Sequence, residues 1–258
     1  MRFKVLASGS KGNMTYIETS QTKVLLDAGI SYSNARLKLA MDNINIDDVE
    51  LIICTHEHSD HVKELVMMLK KTRACLYINQ LSFDGLHPKI KEELKKYNVR
   101  FIDANYSYNF KDLKIIPLQM SHDSRNCLGF IFHSENKTLG YATDTGIINI
   151  EYLKYLKLCD GIIIEANHNV EMLQESSRPV QLIRRILSIK GHMSNQITCS
   201  ILDSILSDKQ KYVILAHVSE DCNSSDKINE EIIEKLKDQY QCQFQIANQY
   251  DALDLMEL

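Results

Sequence analysis

His56-Glu57-His58-Ser59-Asp60-His61 directly follows the apolar run Val49-Glu50-Leu51-Ile52-Ile53-Cys54. That run reads as a buried strand, and the 3.6-residue pattern of Val62-Lys63-Glu64-Leu65-Val66-Met67-Met68-Leu69 reads as a helix. The cluster between them therefore sits on a strand-to-helix turn, from which rigid elements aim side chains into a cleft. In the extended part His56 and His58 point the same way, because side chains alternate along a strand. Asp60 and His61 fall where the helix begins, and an aspartate there suits its unpaired N–H groups. Imidazole together with carboxylate is a ligand set for zinc and its first-row neighbours. A lone histidine is usually a core or surface residue, but three histidines and an aspartate packed this closely favour a metal centre.

Further ligand types stand at the ends of other apolar stretches. Asp27 closes Lys23-Val24-Leu25-Leu26, His122 follows Leu118-Gln119-Met120-Ser121, Asp144 follows Gly140-Tyr141-Ala142-Thr143, and His217 ends Tyr212-Val213-Ile214-Leu215-Ala216. With His-x-His-x-Asp-His, these marks resemble the metallo-β-lactamase superfamily over nearly the whole chain. The resemblance implies an α/β fold with a four-layer αββα sandwich and metals at the edge between two sheets. It further implies that His56, His58 and His122 hold one divalent cation, that Asp60, His61 and His217 hold a second, and that Asp144 bridges them. Two cations about 3.5–4 Å apart can share a hydroxide, which gives a nucleophile at neutral pH without serine or cysteine. Zinc or manganese is the expected metal, with iron also compatible. Asp27 is expected as an acceptor that orients a ligand or the attacking water.

The chain's 258 residues suffice for one domain with a substantial core, and 44% apolar with 25% charged residues is ordinary for a globular protein. The N-terminus turns polar at Ser8, too early for a signal-peptide core, and no apolar run is long enough to span a membrane. Seven dispersed cysteines without a Cys-x-x-Cys pair point to reduced thiols and a cytoplasmic setting. Cys222 alone lies near enough to the site in sequence to be an adventitious ligand. A net charge of −4 gives no global sign of nucleic-acid binding, although only the groove around a site needs to attract phosphate.

Elsewhere the pattern predicts strands at 3–6, 15–18, 23–26, 76–78, 113–118, 128–133, 138–142, 161–165 and 212–216, with two short ones at the end. Helices are expected near 33–41, from 62 onward, and over 90–97, 150–158, 180–189, 196–206 and 226–239.

Two more residues narrow the chemistry. Glu165 in Ile163-Ile164-Glu165-Ala166-Asn167 and His192 in Gly191-His192-Met193-Ser194-Asn195 resemble the Glu-Ala and His-Ser/Thr elements of ribonuclease Z-like phosphodiesterases. A histidine held by a carboxylate suits proton delivery to a departing alkoxide. Asp60, Asp27, Glu165 and His192 are thus the candidate catalytic residues. The interval from His122 to Asp144 is too short for the tRNA-gripping arm of ribonuclease Z, and that from Asp144 to His217 too short for a β-CASP insertion. Ala7-Ser8-Gly9-Ser10-Lys11-Gly12-Asn13 and His217-Val218-Ser219-Glu220 resemble the YycJ-type (WalJ) family, which implies a 5′→3′ exonuclease acting on DNA. In the Ser8–Asn13 loop, glycines and successive N–H groups can cradle a phosphate. Ser8, Lys11, Asn13 and Arg125 are therefore the candidate phosphate contacts. A small-molecule phosphodiesterase, a thioester or lactone hydrolase, and a non-catalytic metal-binding module are the alternatives. Basic side chains around the cleft would favour nucleic acid; an enclosed apolar pocket would favour a small substrate.

Overall fold

The computed structural model describes residues 1–258, arranged as two seven-stranded sheets packed face to face with helices outside each. The first sheet holds β1 (Arg2–Ala7), β2 (Met14–Glu18), β3 (Lys23–Leu26), β4 (Leu51–Ile53), β5 (Cys75–Ile78) and β6 (Val99–Phe101) in chain order. The second holds β7 (Tyr108–Phe110), β8 (Leu113–Met120), β9 (Cys127–Ser134), β10 (Lys137–Ala142), β11 (Gly161–Glu165), β12 (Tyr212–Ala216) and β13 (Gln243–Ile246). The last strand, β14 (Met256–Glu257), returns to pair with β1. The expected αββα sandwich is the observed architecture.

Alternating side chains divide the apolar residues among three layers. Phe3, Val5, Val24, Leu26, Leu51 and Ile53 of the first sheet meet Leu113, Leu128, Phe130, Phe132 and Ile163 of the second. The opposite face of the first sheet, through Leu25, Ile52 and Leu76, packs on helices Tyr32–Ala40 and Leu65–Thr72. The outer face of the second, through Ile162, Ile164 and Leu215, packs on helices Ile150–Leu156 and Asn195–Ile205 and the segment 228–236. Strands with both faces covered read as continuous apolar runs, which is why β4, β11 and β12 were legible.

Strand direction gathers the site. β3 and β4 run parallel. β8 is antiparallel to β9, and β9 to β10, so β8 shares the direction of β10, β11 and β12, which are parallel to one another. The C-terminal ends of β8, β10, β11 and β12 therefore lie along one edge, and there the chain places His122, Asp144, Glu165 and His217.

The expected helix after His58 is interrupted. It runs Ser59–Val62, breaks, and resumes as Leu65–Thr72. The carbonyl of Asp60 accepts instead from Asn13 N, and Glu64 N–H donates to Ala28 O, so the i→i−4 bond between them is replaced by ties to the first sheet. Helices Gln80–Gly85 and Val170–Glu175 and strands β6 and β7 were not apparent in the sequence; each is short, and β6 and β7 bury few of their side chains.

The same stitching explains Gly29. Its N–H donates to Asn13 O, and a Cβ there would lie 1.8 Å from the Asp60 carbonyl oxygen. Gly29→Ala must push the Asp60 turn away from β3. Overpacking of this kind costs about 1–3 kcal/mol, readable as a lowered midpoint in denaturant unfolding; an unchanged midpoint would show that the turn gives way freely.

Candidate metal centre

The His56–His61 segment leaves β4, and the three other ligand-bearing turns leave β8, β10 and β12. In all, the structure brings together His56, His58, Asp60, His61, His122, Asp144 and His217, the seven residues expected as ligands. The ligand atoms of His56, His58 and His122 lie within 4.8 Å of one another, and so do those of Asp60, His61 and His217. Asp144 sits between the two sets. Its Oδ1 is 3.3 Å from His217 Nε2 and 3.9 Å from His122 Nε2, while Oδ2 is 3.4 Å from His61 Nε2.

Each buried imidazole is pinned through Nδ1. Asp27 Oδ2 accepts from His61 Nδ1 at 2.7 Å, and Glu165 Oε1 accepts from His217 Nδ1 at 2.9 Å. Thr55 Oγ1 lies 3.0 Å from His56 Nδ1, and the Gly191 carbonyl 3.3 Å from His122 Nδ1. That leaves Nε2 of each ring facing the cluster. His56 Nε2 and His217 Nε2 are buried without any hydrogen-bond partner. Buried polar atoms are normally satisfied, so several lone pairs converging with two carboxylates are what a cation site requires. The residues present fit divalent metal.

Electrostatics agree. Burial, then the imidazoles of His61, His122 and His58, push His56 well below its ordinary pKa and hold it in the neutral form that ligates. Burial opposes ionisation of Asp144, but His217, His61 and His122 overcome it and keep its carboxyl below the usual range. Three residues at the site, Asp27, Asp144 and His217, have φ of 63°, 54° and 53°. Left-handed backbone is uncommon for residues other than glycine, and here it turns each side chain off its strand end into the cleft.

Other expectations fare differently. Glu165 and His192 meet as expected, with His192 Nδ1 2.8 Å from Glu165 Oε1, and His192 keeps partial exposure. Asp27 is fully buried, and its carboxylate meets only His61 and Thr55, contacts that suit orienting a histidine and not meeting a substrate. Ser8 and Asn13 are also buried and cannot greet a phosphate. Ser8 Oγ accepts from His217 N at 2.8 Å, and Asn13 Nδ2 lies 3.1 Å from Asp60 Oδ2 and 3.0 Å from His61 Nε2. Lys11 is exposed, yet its ammonium already pairs with Glu220 at 2.6 Å. Arg125 remains available: it is exposed and shares with His122 and Lys190 a groove of about 700 Å³. Cys222 packs with Leu173 and Ile186 and is no ligand.

Sequence reasoning missed Thr55, Asn167 and Glu57. Asn167 Nδ2 donates to the His217 carbonyl at 2.8 Å, and Glu57 Oε1 accepts from Arg125 N at 2.7 Å, which fixes the turn carrying His122. Glu57, between two of the expected ligands in sequence, turns away from them to make this contact. Only the Asn next to Glu165-Ala166 lay within a motif that could have flagged it.

Comparison with known proteins agrees with this geometry. The model of the beta-lactamase superfamily domain matches residues 22–217. The chain is 34% identical to the exodeoxyribonuclease YycJ of Bacillus anthracis, over 86% of this chain and 84% of that one. The chain belongs to the beta-lactamase superfamily, within the YycJ/WalJ family. The exodeoxyribonuclease WalJ of Streptococcus pneumoniae is 32% identical over 86% of this chain and 83% of that protein. In fold, the metallo-beta-lactamase fold protein YhfI of Bacillus subtilis superposes with a TM-score of 0.69 over 98% of both chains at 15% identity. No helix is long and apolar enough to cross a membrane.

For a member of this superfamily, Asp27 makes a pointed test. Asp27→Asn keeps the shape but loses the charge that orients His61. Metal affinity should fall by roughly 10–100-fold in competition with a chromogenic chelator, with thermal unfolding of the metal-free protein little changed. Unaltered affinity would mean that His61 needs no such anchor.

Proposed function

We propose that this chain is a metal-dependent phosphodiester hydrolase that degrades DNA from the 5′ end, with Asp144 bridging two divalent cations. What carries the reading is the Glu165–His192 pair beside a complete seven-residue ligand set, in a chain whose relatives are exodeoxyribonucleases. Divalent cations held there supply Lewis acidity: they lower the pKa of water and neutralise charge on phosphoryl oxygens.

The chain's own residues do the rest. Hydrolysis makes a bond from water oxygen to phosphorus, breaks the bond from phosphorus to the 3′ oxygen, and leaves that oxygen needing a proton. His192 is placed to give it. Its Nδ1 is held by Glu165, so Nε2 faces the cleft, and the carboxylate stabilises the imidazolium before transfer. Glu165 Oε2 accepts from Thr145 N and Met193 N, both at 3.1 Å, which locks the carboxylate and with it the ring. Asp60 is at once a proposed ligand and a mostly buried wall of the cleft, oriented by Asn13.

Cationic side chains rim the opening. Arg125 and Lys190 lie on the His122 side, and Arg178 and Arg185 on the His192 side. A rim of this sign favours a polyanion over the apolar acyl groups of thioester or lactone substrates. Phosphate contacts weaken as salt rises, so turnover on DNA should drop between low and moderate ionic strength while hydrolysis of a small diester barely changes. Equal salt sensitivity would argue against a polyanion track.

His192→Ala should keep its metals and bind DNA, yet lose about 10²–10⁴-fold in turnover. The defect should shrink on a diester with a nitrophenolate leaving group, which departs without a proton. Glu165→Gln should be worse than His192→Ala and should also reduce metal content, because the same oxygen holds His217. Equal damage on both leaving groups would remove His192 from proton transfer.

A further inference from the structure

Tyr250 is 60% exposed, yet it is held at both ends. Its N–H donates to Asn248 Oδ1 at 2.8 Å, and its carbonyl accepts from Lys38 Nζ at 2.6 Å. Lys38 is buried and gives a second bond to the Leu6 carbonyl. At the far end the Tyr250 hydroxyl meets Lys11 Nζ at 2.6 Å. Gln249, the preceding residue, is buried and clamps Lys11 N and Gly12 O. Fixing an exposed ring in this way removes ordering entropy that a ligand would otherwise have to offset.

The fixed ring keeps both faces open to Lys11. The Lys11 ammonium is 5.3 Å from the ring centre and 2.6 Å from the hydroxyl oxygen. That difference matches the separation of a tyrosine's ring centre from its own oxygen. The ammonium therefore lies in line with the C–O bond, beyond the hydroxyl, and covers neither face. Glu220 neutralises it at 2.6 Å, so what the rim offers a strand at this point is the ring and not a free charge.

Tyr250 is also tied to the centre. The loop carrying Lys11 braces it: Ser8 Oγ accepts from His217 N, and Asn13 Nδ2 lies 3.1 Å from Asp60 Oδ2. Between them Ser10 lines a recess with His192, Arg178 and Arg185. Lys63, just past His61, donates to the Lys11 carbonyl. Glu220 follows His217 by three residues, so their Cα atoms lie within about 11 Å.

We infer that Tyr250 is a stacking platform for an unpaired nucleobase of the substrate strand. The inference rests on the exonuclease reading above and adds a contact that the cationic rim does not supply. Every base has a π face, so a stacked ring holds a strand without reading its sequence. The face must be free, which a base paired within a duplex does not offer.

The chain contains no tryptophan, so Tyr250→Trp places a single indole on the rim. With metal-loaded protein, a phosphorothioate single strand, which resists cleavage, should quench that indole on binding, and a strand of abasic units should not. In kinetics on single-stranded DNA, Tyr250→Ala should raise KM about 5–100-fold with little change in kcat. That ratio to wild type should persist at moderate salt, where phosphate contacts fade. Tyr250→Phe should stay close to wild type, because it keeps the faces and loses only the hydroxyl. Equal damage in Tyr250→Phe and Tyr250→Ala would make the tie to Lys11 the important feature and overturn the platform. An unchanged KM in Tyr250→Ala overturns it, as does an indole that keeps its emission while a labelled strand binds. Wild-type protein that hydrolyses bis(p-nitrophenyl) phosphate but neither binds nor cuts DNA would instead overturn the exonuclease reading, and the platform with it.

Discussion

A single buried carboxylate organises this site. Glu165 has no solvent exposure, and its two oxygens meet His192 Nδ1, His217 Nδ1, Thr145 N and Met193 N. Those partners come from the turn after β10, the turn after β12, and the segment leading into helix Asn195–Ile205. An uncompensated charge at such a place would be very costly. Burial alone would drive the carboxyl to protonate, yet His192, with His217 next to it, holds its pKa well below the ordinary value. Take away any one partner and the anion loses part of what keeps it ionised, so these three segments and β11 are mutually dependent. The geometry of the proposed proton donor and that of a metal ligand are consequently set by one atom, Oε1.

The backbone around this carboxylate is arranged at some conformational expense. Asp27, Asp144 and His217 all adopt left-handed φ immediately after their strands. Left-handed residues of this kind cost of order 1–3 kcal/mol each, and here the surroundings over-determine them. Asp27 is fixed by Thr55 and His61, and His217 N–H by Ser8 Oγ. Asp144 is hemmed in by three imidazoles. The strain is offset by hydrogen bonds spread across both sheets, so the αββα scaffold and the site are one construction. A strand alone would point alternate side chains up and down; the turn into left-handed backbone lets the residue after the strand project forward across the gap between the sheets.

How much of this was legible follows from the range over which each signal acts. The convergence of the seven expected ligands was, because such residues form an unusual set and the strands before them are continuous apolar runs. Strands β3, β11 and β12 were readable to the residue for the same reason. The break at Lys63–Glu64 was not, since it arises from Ala28 and Asn13, which are distant in sequence. Ser8 and Asn13 were read as phosphate contacts because a Ser-Gly-Ser-Lys-Gly-Asn loop looks the same whether it cradles an anion or braces a histidine. Only burial distinguishes the two, and burial depends on β1, β12 and the segment after β13 at Gln249, whose side chain accepts from Lys11 N and donates to Gly12 O. Arg178 and Arg185 carried no local signal beyond charge; the recess they line exists only once the segment 170–186 folds back toward His192.

The two halves of the centre are chemically unequal. His56 and His122 are braced by neutral oxygens, those of Thr55 and the Gly191 carbonyl. His61 and His217 are braced by the carboxylates of Asp27 and Glu165, and Asp60 adds an anionic ligand of its own beside them. A carboxylate behind an imidazole raises its basicity as a ligand, so the half built on Asp60, His61 and His217 is the more electron-rich. His192 stands between the halves, its ring 5.2 Å from that of His217 and 5.1 Å from that of His122, so the proposed proton donor is shared by both.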